Sequence, residues 1–323
     1  MLQQKGHKGA MTLHKLLYNS FKNKDGNFSH LPKDQLDYDY ELIIIDEVSM
    51  VSKQIWEQAL KHDVHIIALG DPFQLPAISE GTDILNHPHV FLDEVMRQAL
   101  ESDIIRLSMD VRSGKPLKPL NGNDVKVIRK SELVSGMYTW ADQIICGKNT
   151  TRRLINNQFR EMLSFGVEPQ EGDKVICLRN YWDTQNDNGD PLINGMIGTL
   201  KSVSIGKDNG VLGRSMKIDF APDFGVDNSY IFNKLKVDYK LIKEGNPTFT
   251  KDAKPIYKNG KKQPLPMEFD YGYAITCWKA QGSQFNNVLF IAEKVGRMSD
   301  IDYARFLYTG ITRAVSKIVV VLP

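Results

Sequence analysis

Leu42-Ile43-Ile44-Ile45-Asp46-Glu47-Val48-Ser49-Met50-Val51 is the stretch whose reading decides the fold class. Four apolar residues in a row, three of them β-branched, describe a strand buried on both faces, the habit of a parallel sheet. The run stops in two carboxylates. A parallel strand delivers Asp46 and Glu47 to its carboxyl end, where open α/β sheets hold their ligands. One carboxylate there can hold Mg²⁺ through water while its neighbour activates an attacking water, the division of labour in nucleoside-triphosphate hydrolysis. A strand that merely ends in a solvated acidic turn has the same local pattern, so the flanking chain has to decide.

Downstream of the carboxylates, a helix is expected from Ser52 to Lys61 and a second buried strand from Val64 to Leu69. That strand runs into Gly70-Asp71-Pro72-Phe73-Gln74-Leu75-Pro76, a polar loop on the same sheet edge. Gln74 is placed to orient a water or touch a terminal phosphate; the alternative is a proline-bracketed turn with an exposed glutamine. Val90 to Asp93 reads as a third short strand, followed by Arg97. A helix from about Ser102 to Ser113 stops at Gly114, with Pro116 and Pro119 beyond it, which marks a helix terminus and a domain boundary. Upstream, Thr12 is a plausible N-cap for a short helix through Leu17, and residues 20 to 40 read as a loop or small hairpin.

Composition sets the outer bounds. The chain has 323 residues, 41% hydrophobic and 25% charged, with a formal net charge of +2. These values suit a soluble globular protein of two or three domains, and they leave room for a basic groove. No run of 18 apolar residues occurs, and the first eight residues lack the apolar core of a signal peptide. Cys146, Cys177 and Cys277 are too few and too scattered for a disulfide framework or a zinc knuckle, which points to a reducing, cytoplasmic compartment.

Beyond the boundary, Ala141 to Cys146 reads as another buried strand, leading to Asn149-Thr150-Thr151-Arg152-Arg153 and a helix that carries Asn156 and Asn157. From Glu171 to Leu265 the pattern changes to short alternating segments between Asn, Asp and Gly turns, the signature of a small antiparallel barrel. Lys251, Lys254, Lys258, Lys261 and Lys262, with Tyr257 among them, form a basic stretch. It suits either a phosphate backbone or a solvated loop. The parallel pattern then returns: a strand from Phe269 to Thr276, a polar turn Cys277-Trp278-Lys279-Ala280-Gln281-Gly282-Ser283, and a strand from Asn287 to Ile291. Tyr308-Thr309-Gly310-Ile311-Thr312-Arg313-Ala314 precedes a last strand, Lys317 to Leu322.

Taken in order, these segments resemble the motifs of superfamily-1 DNA helicases of the RecD/Dda branch, which move five-prime to three-prime. Thr12-Leu13-His14 resembles the end of motif Ia, which touches single-stranded DNA. Asp46-Glu47-Val48-Ser49-Met50 resembles motif II, the Walker B carboxylates. Gly70 to Pro76 resembles motif III, whose glutamine senses the γ-phosphate, and Arg97-Gln98 resembles motif IV. Tyr273 through Ser283 resembles motif V, a contact to DNA and nucleotide, and Tyr308 through Ala314 resembles motif VI with its arginine finger. Asn194-Gly195 with Ile197-Gly198-Thr199 is similar to the entry of the SH3-like insertion of these helicases.

The resemblance implies an α/β chain with two RecA-like parallel-sheet motor domains, the first incomplete, and a small SH3-like β-barrel inserted in the second. Residues 1–112 would be the first motor domain, 113–170 with 266–323 the second, and 171–265 the insertion. ATP and Mg²⁺ are the implied ligands. Asp46 would hold the metal, Glu47 would act as base, and Gln74, Arg97 and Arg313 would clasp the γ-phosphate, with Gly282 beside the nucleotide. Thr12, His14, Thr276, Trp278, Lys279 and Gln281 would meet single-stranded DNA.

Two departures qualify the resemblance. No Gly-x-x-x-x-Gly-Lys-Thr/Ser occurs in these residues, and Lys5-Gly6-His7-Lys8-Gly9 is no substitute for it. The expectation is a helicase lacking roughly its first 50 to 100 residues, the size of a strand–P-loop–helix–strand unit. Its partners would be single-stranded DNA and a separately encoded P-loop segment, or replication and recombination proteins. In motif V, Trp278 stands where the family usually has histidine, and Gln284 where many members have glutamate; tryptophan can still stack on a base. The other functional class left open is a non-hydrolysing DNA-binding or regulatory relic.

Overall fold

The computed structural model describes residues 9–22, 28–77, 81–93, 102–208, 214–248, 256–258, 261–263 and 265–323. The chain divides into two compact units, one made of residues 1–142 with 280–323 and the other of residues 143–279.

The first unit opens with the helix Leu13–Leu17, begun by Thr12, whose side chain accepts the Lys15 amide at 3.3 Å. A hairpin follows, Tyr18–Lys22 against Phe28–Pro32. Strands Leu42–Ile45 and His65–Ala68 then pair in parallel, joined through the helix Lys53–Leu60. Ser52 caps that helix by accepting the Ile55 amide at 3.4 Å, which fixes where it starts. Ile43, Ile45, Val48, Val51 and Ala59 close over Leu16 and Leu17 as one apolar core.

Burial of the strand on both faces does not hold. Ile43 and Ile45 face the core, whereas Leu42 is 44% and Ile44 61% exposed. Successive side chains of a strand point to opposite faces, and among the described residues only the inward face of this pair is covered. Val90 to Asp93 is not a strand either: the segment is irregular, with Val90 and Leu92 turned to solvent. It has no neighbouring strand among the described residues to bond with its backbone. The helix after it spans Asp103–Arg112 and buries Ile104, Leu107 and Val111. Ser102 flanks its start and Ser113 its end, with Gly114 at φ 79° just beyond, in the left-handed region that glycine adopts without strain.

The same unit contains a parallel run in which Phe285–Ile291 pairs with Ala314–Leu322, and Ala314–Leu322 with Val125–Arg129. A short antiparallel strand, Leu120–Asn121, lies on the outer edge. The helix Asp300–Ile311 makes the crossover between the first two of these strands. Ser299 starts it by accepting the Asp302 amide at 3.1 Å.

In the second unit, Gln143–Cys146 and Ala274–Thr276 pair in parallel beside the helix Asn149–Met162. Five strands form an antiparallel sheet in the order Phe232–Asp238, Arg214–Pro222, Ile197–Asp208, Lys174–Cys177, Phe269–Tyr271. The stretch expected as one strand from Phe269 to Thr276 is therefore two, broken at Gly272-Tyr273, with one piece in each sheet. The carbonyls freed at the break find side-chain donors. Gln143 Nε2 donates to Gly272 O and Tyr273 O, each at 3.0 Å, and Asn156 Nδ2 donates to Tyr271 O at 3.1 Å and Ala274 O at 3.2 Å. Asn156 also accepts the Ala274 amide at 2.7 Å. A buried strand break without such partners would leave orphaned backbone groups. Nearby, Arg160 reaches buried Asp173 through two hydrogen bonds of 2.7 and 3.1 Å. Of the basic stretch, Lys251 and Lys254 lie outside the described residues; Lys258, Lys261 and Lys262 sit on a hairpin, Ile256–Lys258 against Lys261–Gln263.

Candidate nucleotide and nucleic-acid site

The parallel pair of the first unit does what its sequence promised at its carboxyl end. Leu69 N donates to Ile45 O at 2.8 Å and Val48 N to Leu69 O at 2.9 Å, so Asp46-Glu47 and Gly70-Asp71 leave the sheet side by side. Ala77 N donates to Ser49 O at 2.9 Å and closes the two loops on each other. Gly70 is required here: a Cβ would come within 2.7 Å of Val48 Cγ1.

Glu47 stands in the left-handed region at φ 54°, a conformation that costs a non-glycine residue about 1–2 kcal/mol and that clusters at functional sites. Its carboxyl is half-buried. Burial raises its pKa, the charge of Arg313 opposes that rise, and Asp46 and Asp71 add to it. A carboxylate held above its ordinary range is a better proton acceptor for water. Asp46 is exposed, and one of its oxygens accepts the Glu47 amide at 2.9 Å.

Asp46 also fits the implied Mg²⁺. Among the described residues no group of three His, Cys, Asp or Glu side chains forms a metal cage. Mg²⁺ at a nucleotide site needs none, since one or two carboxylates, waters and the phosphates complete its shell. Asp46 would hold the ion, whose contribution is to neutralise charge on the phosphates.

Gln74 lies on the adjoining loop, and its Oε1 is buried without a hydrogen-bond partner. An orphaned acceptor of this kind suits a donor such as water better than a phosphate oxygen, which is itself an acceptor. The loop is fastened at several points. Asp71 accepts the Phe73 amide at 2.9 Å and the Tyr308 hydroxyl at 2.7 Å. Leu75 N donates to Thr309 Oγ1 at 2.8 Å, and Leu75 O accepts from Gln281 Nε2 at 2.7 Å. The Arg112 guanidinium stacks 3.9 Å from the Phe73 ring centroid. Burial, together with the bond to Asp71, pushes the Tyr308 phenol above its usual range.

Arg313 is buried at the end of the helix Asp300–Ile311. Its guanidinium donates to Thr309 O at 3.0 Å, Ser283 O at 3.2 Å and Thr312 Oγ1 at 3.1 Å. Asp46, Glu47, Gln74 and Arg313 thus belong to one unit, and the charge of Arg313 is felt at Glu47. Gly282, at φ 74°, lies in the turn that leads to Ser283. Arg97 falls outside the described residues.

The residues expected on nucleic acid are in varied settings. In the first unit Thr12 and His14 are exposed, and the His14 ring stacks on Tyr18 at 5.7 Å. Gln281 is buried, with its amide turned to Leu75. In the second unit Thr276, Trp278 and Lys279 are half-buried. Lys279 donates to Asn194 Oδ1, and burial holds its pKa below the usual lysine value. Sequence reasoning missed Asp71, Tyr308, Thr309 and Arg112 as fasteners of the glutamine loop. The first three lie inside quoted motifs, but no local pattern reveals their pairing.

A carboxylate pair at a parallel strand end, a facing glutamine loop and a buried arginine are the groups that a nucleoside-triphosphatase of helicase type would use. Two family models match the chain: an AAA domain over residues 1–132 and a UvrD-like helicase C-terminal domain over residues 271–321. The chain thus carries one stretch similar to an AAA domain and another similar to the C-terminal domain of UvrD-like helicases. Its fold is shared with solved Pif1 helicases. The Bacteroides Pif1 in complex with ADP-AlF3 and ssDNA is 17% identical, with 97% of this chain and 79% of that one covered, at a TM-score of 0.54. Bacteroides Pif1 bound to ssDNA gives 16%, 98%, 80% and 0.52, and the Candida albicans Pif1 14%, 87%, 71% and 0.50. Uncharacterized protein R530 of Acanthamoeba polyphaga mimivirus is 22% identical over 360 residues, covering 84% of this chain and 73% of R530.

Proposed function

We propose that the protein is the motor of an ATP-dependent DNA helicase that moves five-prime to three-prime on single-stranded DNA, as in the RecD/Dda branch. The observation that carries this reading is the Glu47 carboxyl, half-buried at a strand end and within charge reach of Arg313, Asp46 and Asp71. Glu47 takes the proton of the attacking water, Gln74 orients that water through its unpaired acceptor, and Arg313, held through Nε at Thr309 O, turns Nη1 from Ser283 O to the γ-phosphate. Arg97 joins it there, with Gly282 beside the nucleotide. Thr12, His14, Thr276, Trp278, Lys279 and Gln281 follow the DNA strand. The motor domains are 1–112 and 113–170 with 266–323, and the antiparallel segment 171–265 is the SH3-like insertion. Four of the five strands of the antiparallel sheet lie within 171–265, the fifth being Phe269–Tyr271, and this sheet and the Pif1 fold likeness support that partition.

A second reading has its own observation. No Gly-x-x-x-x-Gly-Lys-Thr/Ser occurs in the 323 residues, so the usual lysine and backbone cradle for the phosphates is not among them. In that reading the chain binds single-stranded DNA without turnover. ATP hydrolysis measured with and without oligonucleotide separates the two. Turnover that DNA stimulates and Glu47→Gln abolishes supports the motor; DNA binding with turnover at background supports the second reading.

A further inference from the structure

Thr309 is fully buried and bonded in two directions. Its hydroxyl oxygen accepts the Leu75 amide at 2.8 Å, and its carbonyl accepts from Arg313 Nε at 3.0 Å. Leu75, itself buried, directly follows Gln74. One residue therefore fixes the backbone beside the glutamine and the guanidinium of the arginine. We infer that Thr309 is a positioning residue that sets Gln74 and Arg313 in register with each other, so that the two act on one γ-phosphate together.

This rests on the γ-phosphate roles proposed above for Gln74 and Arg313. A helix residue needed only for packing would present a methyl group at this place. Valine has the shape of threonine and would fill the space. The hydroxyl is spent instead on a loop 234 residues away in sequence. Gln281 holds the other end of the same residue, at Leu75 O, so the loop cannot slide along the helix without breaking both bonds. Thr312 contributes to the same alignment: its hydroxyl donates to Thr309 O at 3.1 Å and accepts from Arg313 Nη2 at 3.1 Å.

The test compares binding of a non-hydrolysable ATP analogue and of ADP, each with Mg²⁺, to the full chain and to Thr309→Val and Thr309→Ser. Wild type is expected to prefer the triphosphate, and Gln74→Ala or Arg313→Ala to lose that preference. Thr309→Val should lose about tenfold or more of it, less than the roughly 10²–10³-fold cost of removing a transition-state donor outright, with ADP affinity unchanged. Thr309→Ser, which keeps the hydroxyl, should retain it. Hydrogen exchange at the Leu75 amide of wild type gives a readout that needs no variant: protection should rise with the triphosphate analogue and not with ADP. A Thr309→Val protein that keeps wild-type preference, or a Leu75 amide indifferent to the γ-phosphate, overturns the inference while leaving the site reading intact. A wild type that does not distinguish the two nucleotides overturns the site reading, and this inference with it.

Discussion

The Tyr308 hydroxyl donates a 2.7 Å hydrogen bond to Asp71 Oδ2, joining the helix Asp300–Ile311 to the loop that carries Gln74. A neutral phenol bonded to a half-buried carboxylate is a charge-assisted contact. Its loss would leave the carboxylate its hydrogen bond from the Phe73 amide. Tyr308→Phe is expected to cost about 1.5–3 kcal/mol of stability, the range for hydrogen bonds to charged groups. Urea unfolding checks this; a variant as stable as wild type would mean that water replaces the phenol at no cost.

Glu47 carries a pH signature. Its folded pKa lies above the ordinary value of 4.5, with burial as the leading cause, so the folded chain holds this proton more tightly than the unfolded chain does. The stability it contributes is complete below 4.5 and is lost as pH rises through the raised pKa. Glu47→Gln keeps the shape and cannot ionise. The variant should match wild type in acid and be the more stable of the two at pH 7. Unfolding midpoints that keep the same difference at both pH values would contradict this sign.

Asp173 accepts from Arg160, from the Tyr273 hydroxyl at 3.0 Å and from the Gln170 amide at 2.9 Å, all in the interior of the second unit. Asp173→Ala leaves the Arg160 guanidinium buried without its carboxylate, a loss of about 3–5 kcal/mol. The effect should be confined to the second unit. Hydrogen exchange should show faster opening in Asn149–Met162 and Lys174–Cys177, with residues 42–68 unchanged. Uniform loosening of both units would show that they unfold together.

Trp278 is half-buried and follows Cys277 in the turn proposed to meet DNA. If a base stacks on it, Trp278→Ala should weaken oligonucleotide binding by about 1–3 kcal/mol. Binding should also weaken as salt rises, because phosphate contacts release counterions. Anisotropy titrations at several salt concentrations measure both. Undiminished affinity in the variant would confine Trp278 to packing.

The sequence by itself determined the local elements and the order of the motifs. Ser52, with its capping hydroxyl, and Ser102 to Ser113, with Gly114 beyond, mark helix ends that the structure reproduces within a residue, because caps and left-handed stops are local chemistry. The strand ending at Asp46-Glu47 was legible for the same reason: β-branched runs and the carboxylates that end them are contiguous. Only the tertiary structure decided which groups meet. It decided that Gln281 turns its amide to Leu75, 206 residues away, and that Tyr308 finds Asp71. It also decided that Asn156 and Gln143 close the break at Gly272-Tyr273, and that Leu42–Ile45 is covered on one face. Periodicity reports which side of an element prefers burial; it does not report what lies opposite. Hydrogen bonds between distant residues depend on how separate elements pack, and no spacing within either partner's own segment encodes that.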